Sequence, residues 1–442
     1  MEVSVSEGSG LQRQVTVTVP AERVNQELDN RLRQLAKSVK MPGFRPGKIP
    51  LSVVEQKYRD EVYGEVMNEL VSSTYGEALQ EQDLNPVAQP ELDPGDLKRD
   101  QDFSYTASFE VYPEVEPQGY KGMALNKRTA EVDEGAIDET IERLRTMKAD
   151  YQKVERPAAE GDQVVIDFVG KVEGETFEGG EASDYAMEIG GGRHLKEMEE
   201  GLIGASAGEQ RTVDVPFPED YPKGELAGKT AQFDVTVKEV REKQLPEVDA
   251  EFMQAFGVED GQLETLRNDI REGLEREVEE RVRDDLRRQI FDKLAEANEI
   301  HVPEQLVKQQ VDKLIESQKQ QYRQQGLDPE TLNLDSEAMR EQFRETAERQ
   351  VKVGLIIPEI AQLEELQASE DEVRQELERL ADQYGSQRDQ FLQYVMNNRE
   401  QMQEVEGRAL ETKVIDWIVE NAEVNEETVP VSTLLGWEEE AA

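Results

Sequence analysis

Apolar residues spaced four apart mark the second half of this 442-residue chain. Each step of four residues advances a helix by about 40° beyond a full turn, so the stripe turns roughly 280° around one long helix. We therefore predict a helix that contacts several neighbours in turn or leaves apolar surface open. The stripe consists of Leu266, Ile270, Leu274, Val278, Val282, Leu286, Ile290 and Leu294. Nearly everything beyond Pro246 follows a helical pattern, and residues 309–325 are polar enough to extend into solvent.

Two other patterns precede this helical region. Near the N-terminus, Val15, Val17 and Val19 alternate with threonines, and a second alternating strand follows from Phe103 to Val111, with long helical segments between them. From Gly161 to Val240 short strands are separated by glycine turns. The fold class predicted is therefore multidomain α+β. We predict an α+β domain at 1–112, a linker with a helix at 113–150, a sheet-and-helix domain at 151–245, an all-α domain at 246–432 and an acidic tail at 433–442.

The composition excludes several classes of function. The net charge is −47, a field that repels nucleic acid and anionic membranes, and we interpret it as adaptation to a salty cytoplasm, hence a halophilic or halotolerant source. The chain has no cysteine and two histidines far apart, so thiolate chemistry, histidine triads and metal sites are not expected. We expect no cofactor. No signal-peptide pattern and no apolar run of about 20 residues is present, so a cytoplasmic protein without membrane contact is expected.

One loop departs from the acidic character of the chain. Residues 30–50 contain no acidic residue, and Phe44 lies between Gly43 and Arg45 in a segment rich in proline and glycine. An exposed aromatic beside an arginine on a stiff loop is typical of a contact site. The alternative is a Phe44 packed in the core with solvated bases around it. The bases of the segment are Arg31, Arg33, Lys37, Lys40, Arg45 and Lys48.

The segment Gly43–Pro50 resembles the ribosome-docking signature of the trigger factor family. Further segments of the chain look like their counterparts in that family, in the family's domain order: Phe109–Val115, Gly161-Asp162, Leu245–Glu247 and Val353–Leu355. The resemblance implies an N-terminal domain that binds the large ribosomal subunit beside the exit tunnel. It assigns the contact to Gly43, Phe44, Arg45, Gly47 and Lys48. The family commonly has a basic residue where this chain has Pro46.

The middle domain resembles an FKBP-type peptidyl-prolyl cis-trans isomerase. The similarity lies at Tyr185, Glu199–Leu202, Gly208-Glu209 and Tyr221. Mapped onto that pattern, the isomerase pocket is lined by Phe168, Phe177, Tyr185, Leu195, Met198, Tyr221 and Phe233. Three positions depart from the pattern. Met198 replaces a usual aromatic, Glu197 a usual glycine and His194 a usual apolar residue, so either a weakened isomerase or a domain that only binds peptides is compatible with the sequence.

The resemblance implies a helical C-terminal body with two arm-like projections that cradle nascent and unfolded polypeptides. An ordinary helical bundle is the alternative reading of the same pattern. The leading hypothesis is an ATP-independent, ribosome-associated chaperone with prolyl isomerase activity. A free FKBP-type isomerase whose helical region recruits partners is the second, and a periplasmic chaperone is the third. Whether the free protein forms a homodimer is left open.

Overall fold

The structure is a computed structural model, and it describes residues 1–42, 44, 49–192, 194–218, 226–324, 329 and 334–437. The chain forms two compact units. The first consists of Met1–Leu125 and Arg287–Glu423, and the second of Asn126–Leu286 with the residues from Val424 onward. Within the described residues, no helix combines the length and apolarity required to span a membrane.

The first unit opens with an antiparallel sheet covered by two helices. Its strands are β1 (Glu2–Glu7), β2 (Gln12–Val19), β3 (Glu91–Pro94) and β4 (Phe103–Glu110), in the order β1-β2-β4-β3. Helices α1 (Ala21–Ser38) and α2 (Leu51–Glu81) follow β2. Because side chains alternate across a strand, β2 and β4 bury one face each against these helices. Helix α2 is kinked at Tyr58, whose backbone angles are not helical.

The second unit is built around a five-stranded sheet. After β5 (Ala124–Thr129) and α3 (Glu134–Met147), the sheet contains β6 (Asp150–Val154), β7 (Gln163–Val172), β8 (Glu175–Glu188), β9 (Gln210–Pro216) and β10 (Thr230–Gln244). The order is β6-β10-β7-β8, and β9 also pairs with β10. Helix α4 (Lys196–Leu202) packs against β9. The buried face of α3 consists of Ala136, Ile137 and Ile141, and Met147 at its end is 77% exposed.

The four-residue stripe forms one continuous helix, as the spacing predicts. After the short α5 (Ala250–Ala255), helix α6 runs over Leu263–Ala297 and passes from the second unit into the first. Every residue of the stripe is buried except Ile270, which is half-buried. The turning stripe therefore meets different surroundings along its length. Near its start, Leu266 packs with Phe252 and Val258.

The remaining helices of the first unit form two packed groups. Helices α7 (Glu304–Gln324) and α8 (Glu337–Leu363) share a small core of their own, so the polar segment 309–325 still buries Val311 and Ile315. Helices α9 (Glu370–Asp382), α10 (Arg388–Asn397) and α11 (Arg399–Glu420) form the other group. The described chain ends with β11 (Glu423–Thr428), which pairs with β5, and α12 (Val431–Leu435).

Candidate functional site

An apolar pocket of about 440 Å³ opens on the sheet of the second unit. Strands β7, β8, β9 and β10 contribute most of its wall, and the loop before α4 and the first turn of α4 complete it. The residues that line it are Phe168, Phe177, Gly179, Tyr185, Met187, His194, Leu195, Met198, Val215, Phe217 and Phe233. This set contains no carboxylate and no amine. The described lining therefore supplies shape and apolar surface, with polar groups only at Tyr185 and His194.

Six rings of the lining form a continuous series of edge-to-face contacts. Measured between ring centroids, Phe217 lies 6.2 Å from Phe177, Phe177 lies 6.1 Å from Phe233, and Phe233 lies 5.7 Å from Phe168. The series continues through Tyr185, 5.8 Å from Phe168, to His194, 5.7 Å from Tyr185. Edge-to-face pairs contribute about 0.5–1.5 kcal/mol each beyond their buried area. The series thus gives the pocket a rigid aromatic wall.

The pocket has a buried floor and an exposed rim. Met198 and Phe233 are each 8% exposed, and the neighbouring Val215 is almost fully buried. At the opposite end of the series Tyr185 is 39% exposed, and His194 is half-buried beside it. A compact apolar ring can therefore reach the floor while the groups attached to it meet the rim.

Two glycines make room for pocket rings. A Cβ atom at Gly170 on β7 would lie 2.6 Å from the Phe233 ring, and one at Gly180 on β8 would lie 2.9 Å from the Phe177 ring. Both distances are shorter than carbon atoms tolerate. The absence of a side chain at these two positions therefore sets where the two phenylalanines sit.

A buried carboxylate organises the loop that carries His194 and Leu195. The Glu199 side chain is 5% exposed, and it accepts hydrogen bonds from the backbone N–H groups of Gly190 (2.9 Å), Gly192 (3.3 Å) and His194 (3.1 Å). A buried charge is tolerated where several donors satisfy it. Helix α4 thereby holds the loop at the pocket rim.

Six of the seven residues predicted to line the isomerase pocket lie around this one cavity. The seventh, Tyr221, lies outside the described residues. Glu197 is exposed on α4 and is not part of the described lining. The sequence reading missed Val215 and Phe217, although the alternation that starts at Val213 could have identified both. It also missed Met187, whose place on β8 depends on the pairing of that strand.

This geometry suits isomerisation of a prolyl peptide bond without a nucleophile. Rotation about the peptide bond breaks its resonance and costs about 20 kcal/mol in water. The twisted amide is less polar than the planar one, so an apolar wall favours it over the ground state. The described pocket provides such a wall and a floor of limited size.

The basic loop is the second candidate site. Ile49 on one side of it is buried in the core of the first unit, and Met41 on the other side packs against the same core. Between them Phe44 is 40% exposed, which contradicts the alternative of a core-packed ring. The other residues predicted to make the contact, Gly43, Arg45, Gly47 and Lys48, lie outside the described residues, as does Pro46.

The bases that precede the loop differ in their partners. The Arg31 guanidinium lies 2.6 Å from Glu65 on α2 and lowers the pKa of that carboxyl below its usual range. Arg33 is far more exposed and lies 3.8 Å from Asp29, while Lys37 and Lys40 are exposed. Residues 30–50 contain no acidic residue, but the fold places Glu65 of α2 beside this segment. Arg31 therefore contributes less to any external contact than its position suggests.

Comparison with known proteins identifies the family. Residues 1–144 match the family described as bacterial trigger factor protein, residues 262–420 match its C-terminus, and residues 154–238 match FKBP-type peptidyl-prolyl cis-trans isomerase. The trigger factor of Thioalkalivibrio sulfidiphilus is 40% identical over 443 residues and covers all of both chains. That of Alkalilimnicola ehrlichii is 40% identical over 98% of this chain and 95% of its own, and that of Halorhodospira halophila is 38% identical over 99% of each.

Trigger factor models thus match both ends of the chain, an isomerase model matches the region between them, and the trigger factor of Thioalkalivibrio sulfidiphilus matches the chain over its full length. The multidomain α+β fold and the pocket in the matched isomerase region agree with that assignment. The chain therefore belongs to the trigger factor family, ribosome-associated chaperones that contain an FKBP-type prolyl isomerase domain.

Proposed function

We propose that this chaperone docks on the large ribosomal subunit beside the exit tunnel through the loop from Gly43 to Pro50. The observation that carries the proposal is the exposed Phe44 ring, held between Met41 and Ile49 whose side chains pack into the core. The packed flanks hold Phe44 at the surface, so little ordering entropy is lost when its ring binds a partner. Arg45 and Lys48 supply charge toward ribosomal RNA.

Cosedimentation with ribosomes tests this docking. Phe44→Ala and the double change Phe44→Ala, Arg45→Ala are expected to move the protein into the supernatant. Tyr112→Ala is the matched control, because Tyr112 is equally exposed, at 43%, outside the loop. It is expected to leave binding unchanged. Wild-type protein that stays in the supernatant at moderate salt would favour the free isomerase that recruits its own partners. Unimpaired binding of the double variant would place the contact elsewhere.

The second element of the proposal is a working prolyl isomerase whose rate is limited by Met198. A thioether side chain is more flexible than a ring and holds the substrate less firmly. The chain is expected to accelerate cis/trans exchange of a proline-containing peptide. Tyr221→Ala and Phe233→Ala are expected to abolish most of the acceleration, and Met198→Phe is expected to raise kcat/KM by about threefold or more. If Met198→Phe lowers kcat/KM while the variant remains folded, Met198 is not the limiting residue.

The proposal places the protein in the cytoplasm, where it shields emerging apolar segments without ATP. The domain boundaries at 112, 150, 245 and 432 are retained in this assignment as proposals. We further assign the excess of carboxylates to a salt-rich cytoplasm. Repeating the ribosome assay as salt rises tests this assignment, because a protein adapted to high salt keeps its activity where a less acidic relative loses it.

Self-association off the ribosome completes the proposal. It is supported by apolar side chains exposed around α9 and α10, where Tyr384, Tyr394 and Met396 are each at least half exposed. The net charge of −47 opposes it. A homodimer is therefore expected to form only as salt screens this repulsion. Sedimentation of the free protein at low and high salt measures the effect, and a monomer at both would contradict it.

A further inference from the structure

His194 is placed to contact a ligand at the pocket rim. Its imidazole lies against Tyr185 in an edge-to-face arrangement at 5.7 Å, at the exposed end of the ring series. Among the described residues, no side chain or backbone group hydrogen-bonds to either imidazole nitrogen. The imidazole is the outermost ring of the series and can therefore contact a bound peptide.

The backbone at His194 is held in place independently of its ring. The His194 N–H donates to Glu199 Oε1 at 3.1 Å, and the other Glu199 oxygen is satisfied by Gly190 and Gly192. These three N–H donors already stabilise the Glu199 carboxylate. A positive charge on the imidazole can therefore still attract an acidic group of a bound ligand. Tyr185 from β8 and Glu199 from α4 contact His194, and the charged Lys196 and Glu197 follow it at the start of α4.

We propose that His194 is a specificity-determining residue of the isomerase pocket, which selects the side chain flanking the substrate proline by its own protonation state. The inference rests on the isomerase role proposed above. With the prolyl ring on the floor formed by Met198 and Phe233, the flanking residue is the next group outward and meets the rim of Tyr185 and His194. Neutral His194 extends the aromatic rim and favours aromatic flanking residues. Protonated His194 favours acidic ones.

The charged residues near the rim determine how strongly protonation of His194 changes the preference for acidic flanking residues. Glu197 and Glu200 are exposed on α4, and Glu200 pairs with Lys196 at 3.7 Å, so the described part of this helix carries one unbalanced exposed carboxylate, at Glu197. Histidine is the side chain that changes charge between about pH 5 and 8. A single protonation at the rim therefore adds one positive charge beside the flanking residue of the ligand, while the apolar floor stays the same.

Isomerase kinetics on a matched peptide series test the proposal. The flanking residue is Phe, Leu or Glu, placed first before and then after the proline, and kcat/KM is measured at about pH 8 and about pH 5.5. We expect the ratio of Glu to Leu peptides to rise about threefold to fivefold at the lower pH in at least one of the two placements, the size of a partly exposed ion pair. The Phe peptide should be preferred over Leu at the higher pH.

Two variants separate charge from ring. His194→Phe keeps an aromatic rim that cannot be protonated, so the Glu-to-Leu ratio should not change with pH while the preference for Phe persists. His194→Val should lose both effects. His301→Phe is the matched control, because the chain has two histidines and His301, between α6 and α7, is not part of the described pocket lining. It should behave as wild type.

The possible failures are distinguishable. If no peptide is isomerised by the wild type, the proposed isomerase function fails. If all peptides are isomerised but the ratio is unaffected by pH in both placements, or changes equally in wild type and His194→Phe, the role of His194 is refuted and the isomerase function stands.

Discussion

At the scale of single residues, two tyrosines in the core of the first unit differ in their hydrogen bonding. The Tyr105 hydroxyl bonds to the Thr74 hydroxyl at 2.8 Å, and Thr74 in turn donates to the Leu70 carbonyl. The Tyr75 hydroxyl is buried and has no hydrogen-bond partner among the described residues. Burial raises the pKa of Tyr75 to about 12. A buried hydroxyl that gains nothing from its surroundings costs its full desolvation.

Tyr75→Phe should therefore stabilise the protein, raising the free energy of unfolding by about 0.5–1.5 kcal/mol. Tyr105→Phe is the matched control and should lower it by about 1–2 kcal/mol, because it removes the buried hydrogen bond between Tyr105 and Thr74. Urea unfolding followed by circular dichroism at neutral pH measures both. Equal destabilisation by the two changes would show that the Tyr75 hydroxyl is satisfied after all.

The Tyr75 pKa also predicts behaviour in alkali. A folded-state pKa raised from 10.0 to about 12 means that the unfolded chain loses its proton first. The free energy of unfolding is thus unaffected by this titration below pH 10. It falls as pH rises from 10 toward 12, by at most about 1.4 kcal/mol per pH unit. The advantage of Tyr75→Phe over wild type should therefore grow above pH 10. An advantage that stays constant to pH 11 in the same urea titrations would contradict this.

At the scale of secondary-structure elements, α9 and α11 are joined through one carboxylate. Glu372 accepts hydrogen bonds from the Ser369 backbone and hydroxyl, which closes a capping box at the start of α9. It also accepts from Lys413 Nζ on α11 at 2.7 Å. Lys413, followed by these Ser369 donors, lowers the pKa of Glu372 to about 2. One side chain thus starts a helix and fixes it to its neighbour.

The depressed pKa sets the direction of a pH effect. Stabilisation by Glu372 is complete above the ordinary value of 4.5 and is lost as pH falls toward 2. Glu372→Gln should lower the free energy of unfolding by about 1 kcal/mol at neutral pH, a modest figure because the side chain is 39% exposed. The difference from wild type should shrink below pH 4.5. Glu370→Gln, in the same helical turn, is the control; a penalty for Glu372→Gln that does not depend on pH would refute the assignment.

Contacts between strands predict a second effect at this scale. Gly170→Ala on β7 introduces a Cβ into the Phe233 ring on β10 and must displace it. We expect kcat/KM of the isomerase to fall about tenfold, and the free energy of unfolding to fall by about 1–3 kcal/mol. Gly76→Ala, where nothing lies within 4 Å of the new atom, is the control. Because Gly76 is inside α2, this change should stabilise the protein by about 0.5–1 kcal/mol. Unchanged kinetics for Gly170→Ala would show that Phe233 can move without cost.

At the scale of the whole molecule, the net charge of −47 governs how the protein approaches the ribosome. Long-range repulsion from ribosomal RNA opposes docking, and salt weakens that repulsion together with the attraction of Arg45 and Lys48. The docking signature that the loop resembles leads us to expect a cation at position 46, where this chain has Pro46. Binding through Phe44 is therefore expected to depend less on salt than in relatives with a basic residue at that position.

Pro46→Lys should supply the missing cation and make ribosome binding depend more steeply on salt. The slope of log affinity against log salt is expected to change by up to about one, the effect of one phosphate contact. Cosedimentation between about 50 mM and 200 mM potassium chloride measures it. If wild-type binding falls with salt as steeply as that of a relative with a basic residue at position 46, or more steeply, the prediction is refuted.

The sequence by itself determined the periodic elements and the candidate residues. The four-residue spacing of Leu266–Leu294 predicts α6 because helical geometry is local, and the alternation in β2, β4 and β10 predicts strands for the same reason. The resemblance to FKBP-type isomerases predicts one pocket, and six of its predicted lining residues lie around the observed cavity. The edge strands β3 and β11 were not predicted, because Leu92 and Val424 are their only large aliphatic residues and give no alternation. Strand β1 was also missed, although Val3 and Val5 alternate with polar residues there.

Tertiary structure alone decided which of these residues act together. Arg31 belongs to an acid-free stretch of sequence, yet packing of α1 on α2 places Glu65 against it. The sequence does not show that the Glu199 carboxylate is buried. Only in the fold does the loop at Gly190 lie against it and donate a hydrogen bond to it. His194 meets Tyr185 because of strand pairing and loop closure. Local periodicity encodes the conformation of a segment, whereas contacts between distant residues depend on how the segments pack.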